Sequence, residues 1–392
     1  MTKLLHISDL HIGKRVNEFP MLEDQEYILK EILHIIDDEQ PDGIIIAGDV
    51  YDRSMPSDEA VRLLGDFLGR LAARHIETYI ISGNHDSAAK LAFASELIDL
   101  SGIHIAPEYN GQVVPFENNG VRIYMLPFIK PASVRSVFPD EADEIRDYTD
   151  ACRVAISHMD IDEGAVNVLV AHQFVTGAER SESEDVNVGG LDNVDASVFD
   201  AFDYVALGHI HGPQSVGRPT IRYSGTPLKY SFSESSHEKS VTVIEVGSEA
   251  SDAARDDKKV TGSDEDGRIS IRTRRLTPLH DMREIRGTCD ELREKSFYEG
   301  TDTDDYIHAI LTDEEEVPEA ISKLRVIYPN IMKLSYDNKR SRSASGDMGT
   351  ADVENKNELE LIEEFYENQN NQPMTAEQRD YVIAKIEELK EG

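Results

Sequence analysis

The first part of the chain alternates short apolar runs with longer amphipathic stretches. Runs rich in β-branched and aromatic residues at 4–8, 43–47 and 78–82 predict buried strands. Between and after these runs, apolar residues recur at helical spacing and predict helices over 21–39, 57–74 and 87–100. This alternation of strand and helix is typical of a largely parallel α/β sheet.

Further elements follow with less regular spacing. The pattern predicts strands at 112–114, 121–126, 167–171, 204–207, 221–224 and 240–246, and a helix over 142–160. The segment 176–195 is polar and acidic, which predicts an exposed loop. The segment 247–268 almost lacks large apolar residues, so we expect a mobile hairpin tip or a linker there.

Composition divides the chain into four parts. We predict a first domain over 1–268, which includes the polar segment at its end, and a small α+β domain over 269–337. In that second domain the pattern predicts helices at 288–297 and 317–328 and strands at 305–311 and 331–336. A polar linker over 338–356 precedes two amphipathic helices within 357–392. An isolated helix pair cannot bury its apolar stripe, so these helices must pack on the body of the protein or on a partner.

The predicted strands of the first domain end in residues that can bind metal ions. Five strand ends carry the side chains of Asp9, His11, Asp49, Asn84, His172, His209 and His211. In open α/β sheets, ligands bind outside the carboxyl ends of the strands. We therefore expect these seven side chains to meet at one edge of the sheet.

Carboxylate, imidazole and amide groups together suit Mn, Fe, Zn or Co better than Ca. Seven ligands are too many for one ion with open positions, and they indicate two ions that share a carboxylate. Asp49, on a central strand, is the natural bridge. Two-metal sites catalyse in-line displacement at phosphorus. His85 is a candidate general acid, and Asp86 would orient His85 or anchor the turn.

The net charge is −36, from 40 basic and 76 acidic residues. This charge opposes binding to nucleic acid, so metal ions, local basic loops or a partner would have to supply the attraction. Lys14, Arg15 and Arg53 are candidate phosphate contacts. The two cysteines are far apart, which favours a reducing compartment. No apolar run approaches the roughly 20 residues of a membrane span, so we expect a cytoplasmic protein without membrane contact.

The strand-end motifs resemble those of a known superfamily over about residues 1–245. They are Asp9-Leu10-His11, Gly48-Asp49, Gly83-Asn84-His85-Asp86, His172 and Gly208-His209-Ile210-His211, and in order and spacing they resemble the calcineurin-like metallophosphoesterases. Within that superfamily, the segments 4–13, 46–52 and 223–232 resemble the SbcD family of bacterial nuclease subunits.

This resemblance implies a sandwich of two mixed sheets with helices outside, an αββα arrangement within the α/β class. It implies that Asp9, His11, Asp49 and His211 hold one Mn²⁺ and that Asp49, Asn84, His172 and His209 hold the other. His85 would be catalytic, near the scissile phosphate. The second domain would be a capping domain, and the C-terminal helices would bind an SbcC-type ATPase. Helices 57–74 and 87–100 would form a homodimer, which gives a heterotetramer with the partner.

The resemblance therefore implies a Mn-dependent DNA nuclease with 3′→5′ exonuclease action on double strands and endonuclease action on single strands and hairpins. It would act with its ATPase partner in DNA repair, recombination and replication. Two alternatives stay open: a stand-alone metallophosphoesterase on nucleotides or small phosphodiesters, and a non-catalytic metal-binding scaffold that regulates the ATPase.

Overall fold

The structure, a computed structural model, describes residues 1–92, 99–184, 192–247, 267–338, the main chain of 260–263, and single positions between 359 and 385. The chain divides into two compact units, Met1–Asp281 and Met282–Gly392. Among the described helices, none has the length and hydrophobicity needed to cross a membrane.

The first unit contains two large sheets, two small ones and five described α-helices. Its strands are β1 Thr2–Ile7, β2 Arg15–Val16, β3 Phe19–Pro20, β4 Gly43–Ala47, β5 Glu77–Ile81, β6 Ile103–Ala106, β7 Phe116–Asn118, β8 Val121–Leu126, β9 Val166–His172, β10 Phe174–Val175, β11 Asn193–Val194, β12 Tyr204–Gly208, β13 Gln214–Val216, β14 Arg218–Tyr223, β15 Ser240–Val246, β16 Val260–Ser263 and β17 Ile269–Arg275. Its helices are α1 Leu22–Glu39, α2 Asp58–Ala73, α3 Ala88–Leu91, α4 Pro131–Val137 and α5 Tyr148–Ser157.

Both large sheets are mixed. The first has the order β16-β17-β15-β1-β4-β5-β6, and the second has the order β13-β14-β12-β9-β8-β7. In the first sheet β1, β4, β5 and β6 run parallel, whereas β15 pairs with β1 in the antiparallel sense. In the second, β8, β9, β12 and β14 run parallel.

The two large sheets pack face to face. One core cluster joins Leu4, Ile45 and Ile81 of the first sheet to Val168 and Tyr204 of the second. A second cluster joins the outer face of the second sheet to α4 and α5. The αββα sandwich is thus confirmed. The single parallel sheet expected from the alternation of strands and helices alone is wrong. Strands with apolar residues on both faces are buried on both sides, but this pattern does not show whether a helix or a second sheet covers each face.

The start of α2 follows the sequence signals closely. The Ser57 side chain accepts a hydrogen bond from the main-chain N–H of Ala60, and Asp58 and Glu59 lie in the first turn. Acidic residues at this end interact favourably with the helix dipole.

Two elements of the first unit differ from the sequence expectation. No strand forms at 112–114; the strand lies at Phe116–Asn118, because Pro115 has no N–H to donate to a sheet ladder. The helix expected over 142–160 begins only at Tyr148, where the Asp147 side chain caps it by accepting from the N–H of Asp150. A separate 3₁₀ turn, Pro139–Glu144, precedes it.

The domain boundary expected at residue 268 is also wrong. The strand Ile269–Arg275 pairs with β15 along its whole length and so belongs to the first sheet. Within the polar segment 247–268, Val260–Ser263 forms a strand beside it. The second unit begins at Met282, because β17 can satisfy its main-chain hydrogen bonds only inside the first unit.

The second unit is a small α+β domain. Its three-stranded parallel sheet contains β18 Met282–Gly287, β19 Tyr306–Leu311 and β20 Ile331–Tyr336. The helix expected over 288–297 is split at Glu294 into α6 Cys289–Arg293 and α7 Lys295–Tyr298, and the helix expected over 317–328 is shortened to α8 Ala320–Arg325. Residues 339–356 of the predicted linker 338–356 and most of the predicted C-terminal helices lie outside the described residues.

Candidate metal centre

The loops that carry the predicted ligands have an unusual main chain. Asp9, His11, Asp49 and His209 have φ angles of 53°, 43°, 47° and 105°. Residues other than glycine rarely adopt this left-handed main-chain conformation, and such strain concentrates at functional sites. The strand ends are thus bent sharply where their side chains enter the site.

Two glycines allow these loops to approach one another. A Cβ atom on Gly83 would lie 2.0 Å from Oδ1 of Asp49, and one on Gly208 would lie 1.8 Å from the carbonyl oxygen of Ala47. No side chain fits at either position. The strand ends of both sheets can therefore converge on one point.

The first group of ligands comprises Asp9, His11 and His211. Their candidate ligand atoms lie within 4.8 Å of one another, and all three residues are buried. The Nε2 atoms of His11 and His211 are 3.2 Å apart. Two imidazole nitrogens at this distance can share only one proton, whereas a cation between them would satisfy both lone pairs.

The second group comprises Asn84, His172 and His209. The amide oxygen of Asn84 lies 3.1 Å from Nε2 of His172 and 3.0 Å from Nδ1 of His209. His172 donates from Nδ1 to the carbonyl oxygen of Ala47 at 2.8 Å, which turns its Nε2 into the site.

Asp49 lies between the two groups. Its Oδ2 atom is 3.4 Å from Nε2 of His172 and 3.8 Å from Nε2 of His11, while its Oδ1 accepts from the main-chain N–H of His85 at 2.9 Å. One carboxylate oxygen therefore faces both groups. All seven predicted ligands are brought together, with an oxygen and nitrogen set that fits a borderline divalent ion.

Burial and charge shift the pKa values of these groups. Burial raises the pKa of Asp9 to about 6 and lowers the pKa of His209 to about 3. Burial alone would also lower the pKa of His172, but the Asp49 and Asp9 carboxylates outweigh it and raise that pKa to about 9. The buried carboxylates of Asp49 and Asp9 thus favour a positive charge beside them in the candidate metal centre.

His85 lies at the edge of the site and a quarter of its side chain is exposed. Its Nδ1 lies 3.1 Å from the carbonyl oxygen of Asp52, and its Nε2 lies 3.9 Å from Oδ2 of Asp49. The Asp52 carboxylate accepts a hydrogen bond from Nζ of Lys14 at 2.8 Å.

Asp86 anchors the turn, one of the two roles that the sequence left open. Its carboxylate accepts from the main-chain N–H groups of Val50, Tyr51 and Gly83 at 2.9–3.0 Å. The carbonyl oxygen of Asp52 lies 3.1 Å from Nδ1 of the His85 ring.

Several residues near His211 were missed by sequence reasoning. They are Ser183, Glu184, Glu234 and Lys239, of which Glu184 lies in the segment expected to be an exposed loop and is buried. Nothing in their local pattern marks them, since their contacts with His211 join residues 23 or more positions apart.

A cavity of about 250 Å³ opens beside the second group of ligands. Its lining includes Asn84 and His209 together with Phe128, Tyr148 and Lys130. The cavity places an apolar surface and a cationic side chain next to the metal ligands.

Comparisons with known proteins agree with this architecture. A family model described as calcineurin-like phosphoesterase matches residues 2–213. A model described as the type 5 capsule protein repressor C-terminal domain matches residues 278–370, which include most of the second unit.

A similar full-length relative is the SbcD subunit of the SbcCD nuclease of Staphylococcus epidermidis. It is 32% identical over 388 residues, which cover 97% of this chain and 96% of the relative. The chain therefore belongs to the calcineurin-like phosphoesterases and, within them, to the SbcD family.

Proposed function

We propose that this protein is a Mn²⁺-dependent DNA nuclease that holds two ions. The observation that carries the proposal is the position of Asp49, whose single oxygen Oδ2 faces an imidazole of each ligand group. Such a bridge is what a two-ion site requires, and the relative's name as a nuclease subunit indicates the reaction class.

The ligands divide between the ions by their groups. Asp9, His11 and His211 would hold one ion, Asn84, His172 and His209 would hold the other, and Asp49 would contact both. Two bound ions would lower the pKa of a shared water and stabilise charge at the phosphate.

His85 would act as the general acid. Its Nδ1 donates to the Asp52 carbonyl, so the proton for the leaving alkoxide must come from Nε2. Nε2 faces the bridging carboxylate and the ring is partly exposed, so it can reach a phosphate bound at the edge of the site.

DNA binding would depend on local contacts and on a partner. The formal net charge of −36 repels a polyanion, so the nuclease needs an SbcC-type ATPase that binds DNA beside it. Arg53, with 75% of its side chain exposed, is the candidate phosphate contact nearest His85 in sequence.

We place the partner on the C-terminal helices and the homodimer contact on α2, where Val61 is exposed. The unbridged, buried Cys152 and Cys289 suit the cytoplasm.

The cavity beside Asn84 and His209 supports a second candidate, a stand-alone phosphoesterase on nucleotides. A cavity of this size beside the ligands would accept part of a single nucleotide. Exonuclease action on duplexes and endonuclease action on hairpins are expected of the DNA nuclease and not of the stand-alone phosphoesterase, so they distinguish the two candidates.

The test measures cleavage of a labelled DNA hairpin and duplex with Mn²⁺, with and without a co-expressed SbcC-type ATPase and ATP. His85→Gln should lose about 10²–10⁴-fold in rate while binding Mn²⁺ as the wild type does. His34→Gln, at an exposed histidine of α1, is the matched control and should cleave normally.

Three results would contradict the proposal. Failure of the wild type to bind Mn²⁺ contradicts the metal centre itself. Hydrolysis of small phosphodiesters without any DNA cleavage favours the stand-alone phosphoesterase. Bound ions without hydrolysis of either substrate favour a scaffold.

A further inference from the structure

A chain of polar side chains lies behind the His211 ring. Nδ1 of His211 is 2.6 Å from the hydroxyl of Ser183, and that hydroxyl donates to Oε1 of Glu234. The other oxygen of Glu234 accepts from Nζ of Lys239. The ring thus connects through one hydroxyl to an ion pair.

The ion pair is buried and fixed at several points. Glu234 is 0% exposed and Lys239 is 5% exposed. Lys239 also donates to the carbonyl oxygen of His211 at 2.9 Å and to Oγ1 of Thr226 at 2.7 Å. Burying two charges costs free energy unless each is paired and hydrogen-bonded, and both conditions are met here.

The loop that carries Ser183 is held against the same histidine. Oε1 of Glu184 accepts from the main-chain N–H of His211 at 2.7 Å, and its other oxygen accepts from the N–H of Ser181. The contacts from this loop therefore reach both the ring and the main chain of His211.

We propose that Ser183, Glu234 and Lys239 are positioning residues that prepare His211 to hold its metal ion. Because the Ser183 hydroxyl donates to Glu234, it must accept the Nδ1–H of His211. This fixes the tautomer in which the Nε2 lone pair points towards Nε2 of His11, and the Glu234 carboxylate holds the Ser183 hydroxyl in that orientation. The proposal rests on the two-ion function proposed above.

The other imidazoles are held differently. His172 donates to a main-chain carbonyl, and His209 faces Asn84 through Nδ1. Loss of the Ser183 hydroxyl should therefore weaken only the ion bound by Asp9, His11 and His211. This selectivity separates a positioning role from a general effect on folding.

The experiment titrates the metal-free full chain with Mn²⁺ in a calorimeter at pH 7.5 for five proteins. They are the wild type, Ser183→Ala, Ser183→Thr, Glu234→Gln and the control Ser157→Ala. Ser157 hydrogen-bonds within helix α5 and serves as a hydroxyl deletion outside the metal centre. Thermal unfolding of each metal-free protein is measured in parallel.

We expect Ser183→Ala and Glu234→Gln to weaken one of the two Mn²⁺ sites about 10- to 100-fold and to leave the other within about twofold. Ser183→Thr keeps the hydroxyl and should retain most of the affinity, and Ser157→Ala should match the wild type. Wild-type affinities in both Ser183→Ala and Glu234→Gln, or an equal loss at both sites in a folded Ser183→Ala, would overturn the proposal. A wild type that binds no Mn²⁺ would instead contradict the proposed function.

Discussion

At the scale of single residues, His6 shows how burial in the sandwich links stability to pH. Its Nδ1 lies 3.0 Å from the Tyr204 hydroxyl in the core between the sheets, and the ring is 0% exposed. Burial lowers the pKa of His6 to about 3, with a further contribution from the charge of Arg222. The folded protein therefore keeps this histidine neutral.

The consequence is a loss of stability in mild acid. Below about pH 6.5 the unfolded chain takes up a proton at His6 that the folded chain refuses until about pH 3. Between pH 7 and pH 4.5 this contributes about 2–3 kcal/mol of lost unfolding free energy. Urea unfolding of wild type and His6→Gln across this range measures it, and the variant should show a flatter pH profile. Parallel profiles for the two proteins would contradict the assignment.

At the scale of elements, a buried ion cluster joins the C-terminal end of α1 to strand β17. Glu39, 4% exposed, accepts from the guanidinium groups of Arg272 and Arg274 and from Lys3. Arg272, 5% exposed, has its charge balanced chiefly by Glu39 and Glu245. This cluster fixes the helix to a strand more than 230 residues away in the sequence.

Glu39→Ala should lower the unfolding free energy by about 3 kcal/mol or more, because it leaves buried guanidinium charge incompletely paired. Asp37→Ala, two residues earlier on the same helix, is the matched control. Its pair with Arg74 is about half exposed, so the expected loss is about 1 kcal/mol or less. Chemical denaturation of the two variants tests this ranking, and equal losses would show that burial of the cluster does not matter.

The central strands and the convergence of the seven candidate side chains could be predicted, because apolar runs and strand-end side chains are local signals. Gly43–Ala47 and Ser240–Val246 have the expected bounds. The partner sheet of each strand, the membership of β17 and the contacts of Glu234 could not be predicted, because they depend on pairings distant in sequence. Similarly, the Asp147 cap, rather than apolar periodicity, decides where α5 begins.

At the scale of the whole molecule, the predicted metal ligands all belong to one of the two units. All seven predicted ligands lie in Met1–Asp281. A chain cut after residue 281 keeps both large sheets, whereas one cut after residue 268 loses β17 and leaves β15 as an unpaired edge.

We therefore expect the 1–281 chain to unfold cooperatively and to bind divalent ions. The 1–268 chain should precipitate or melt lower by roughly 10 °C or more, since it also loses Arg272 from the ion cluster. Circular dichroism melting and metal titration of both chains measure this difference. If 1–268 proves as stable as 1–281, the boundary inferred from strand pairing is wrong.

The distribution of the ligands along the chain also determines when the metal centre can form during protein synthesis. Asp9 leaves the ribosome early, but its partner His211 follows about 200 residues later, which takes about 10–40 s at typical bacterial and eukaryotic elongation rates. Until then the carboxylates of the first sheet have no imidazole from the residues that follow β12 beside them. The complete set of seven candidate ligands therefore exists only after more than half of the chain has been made.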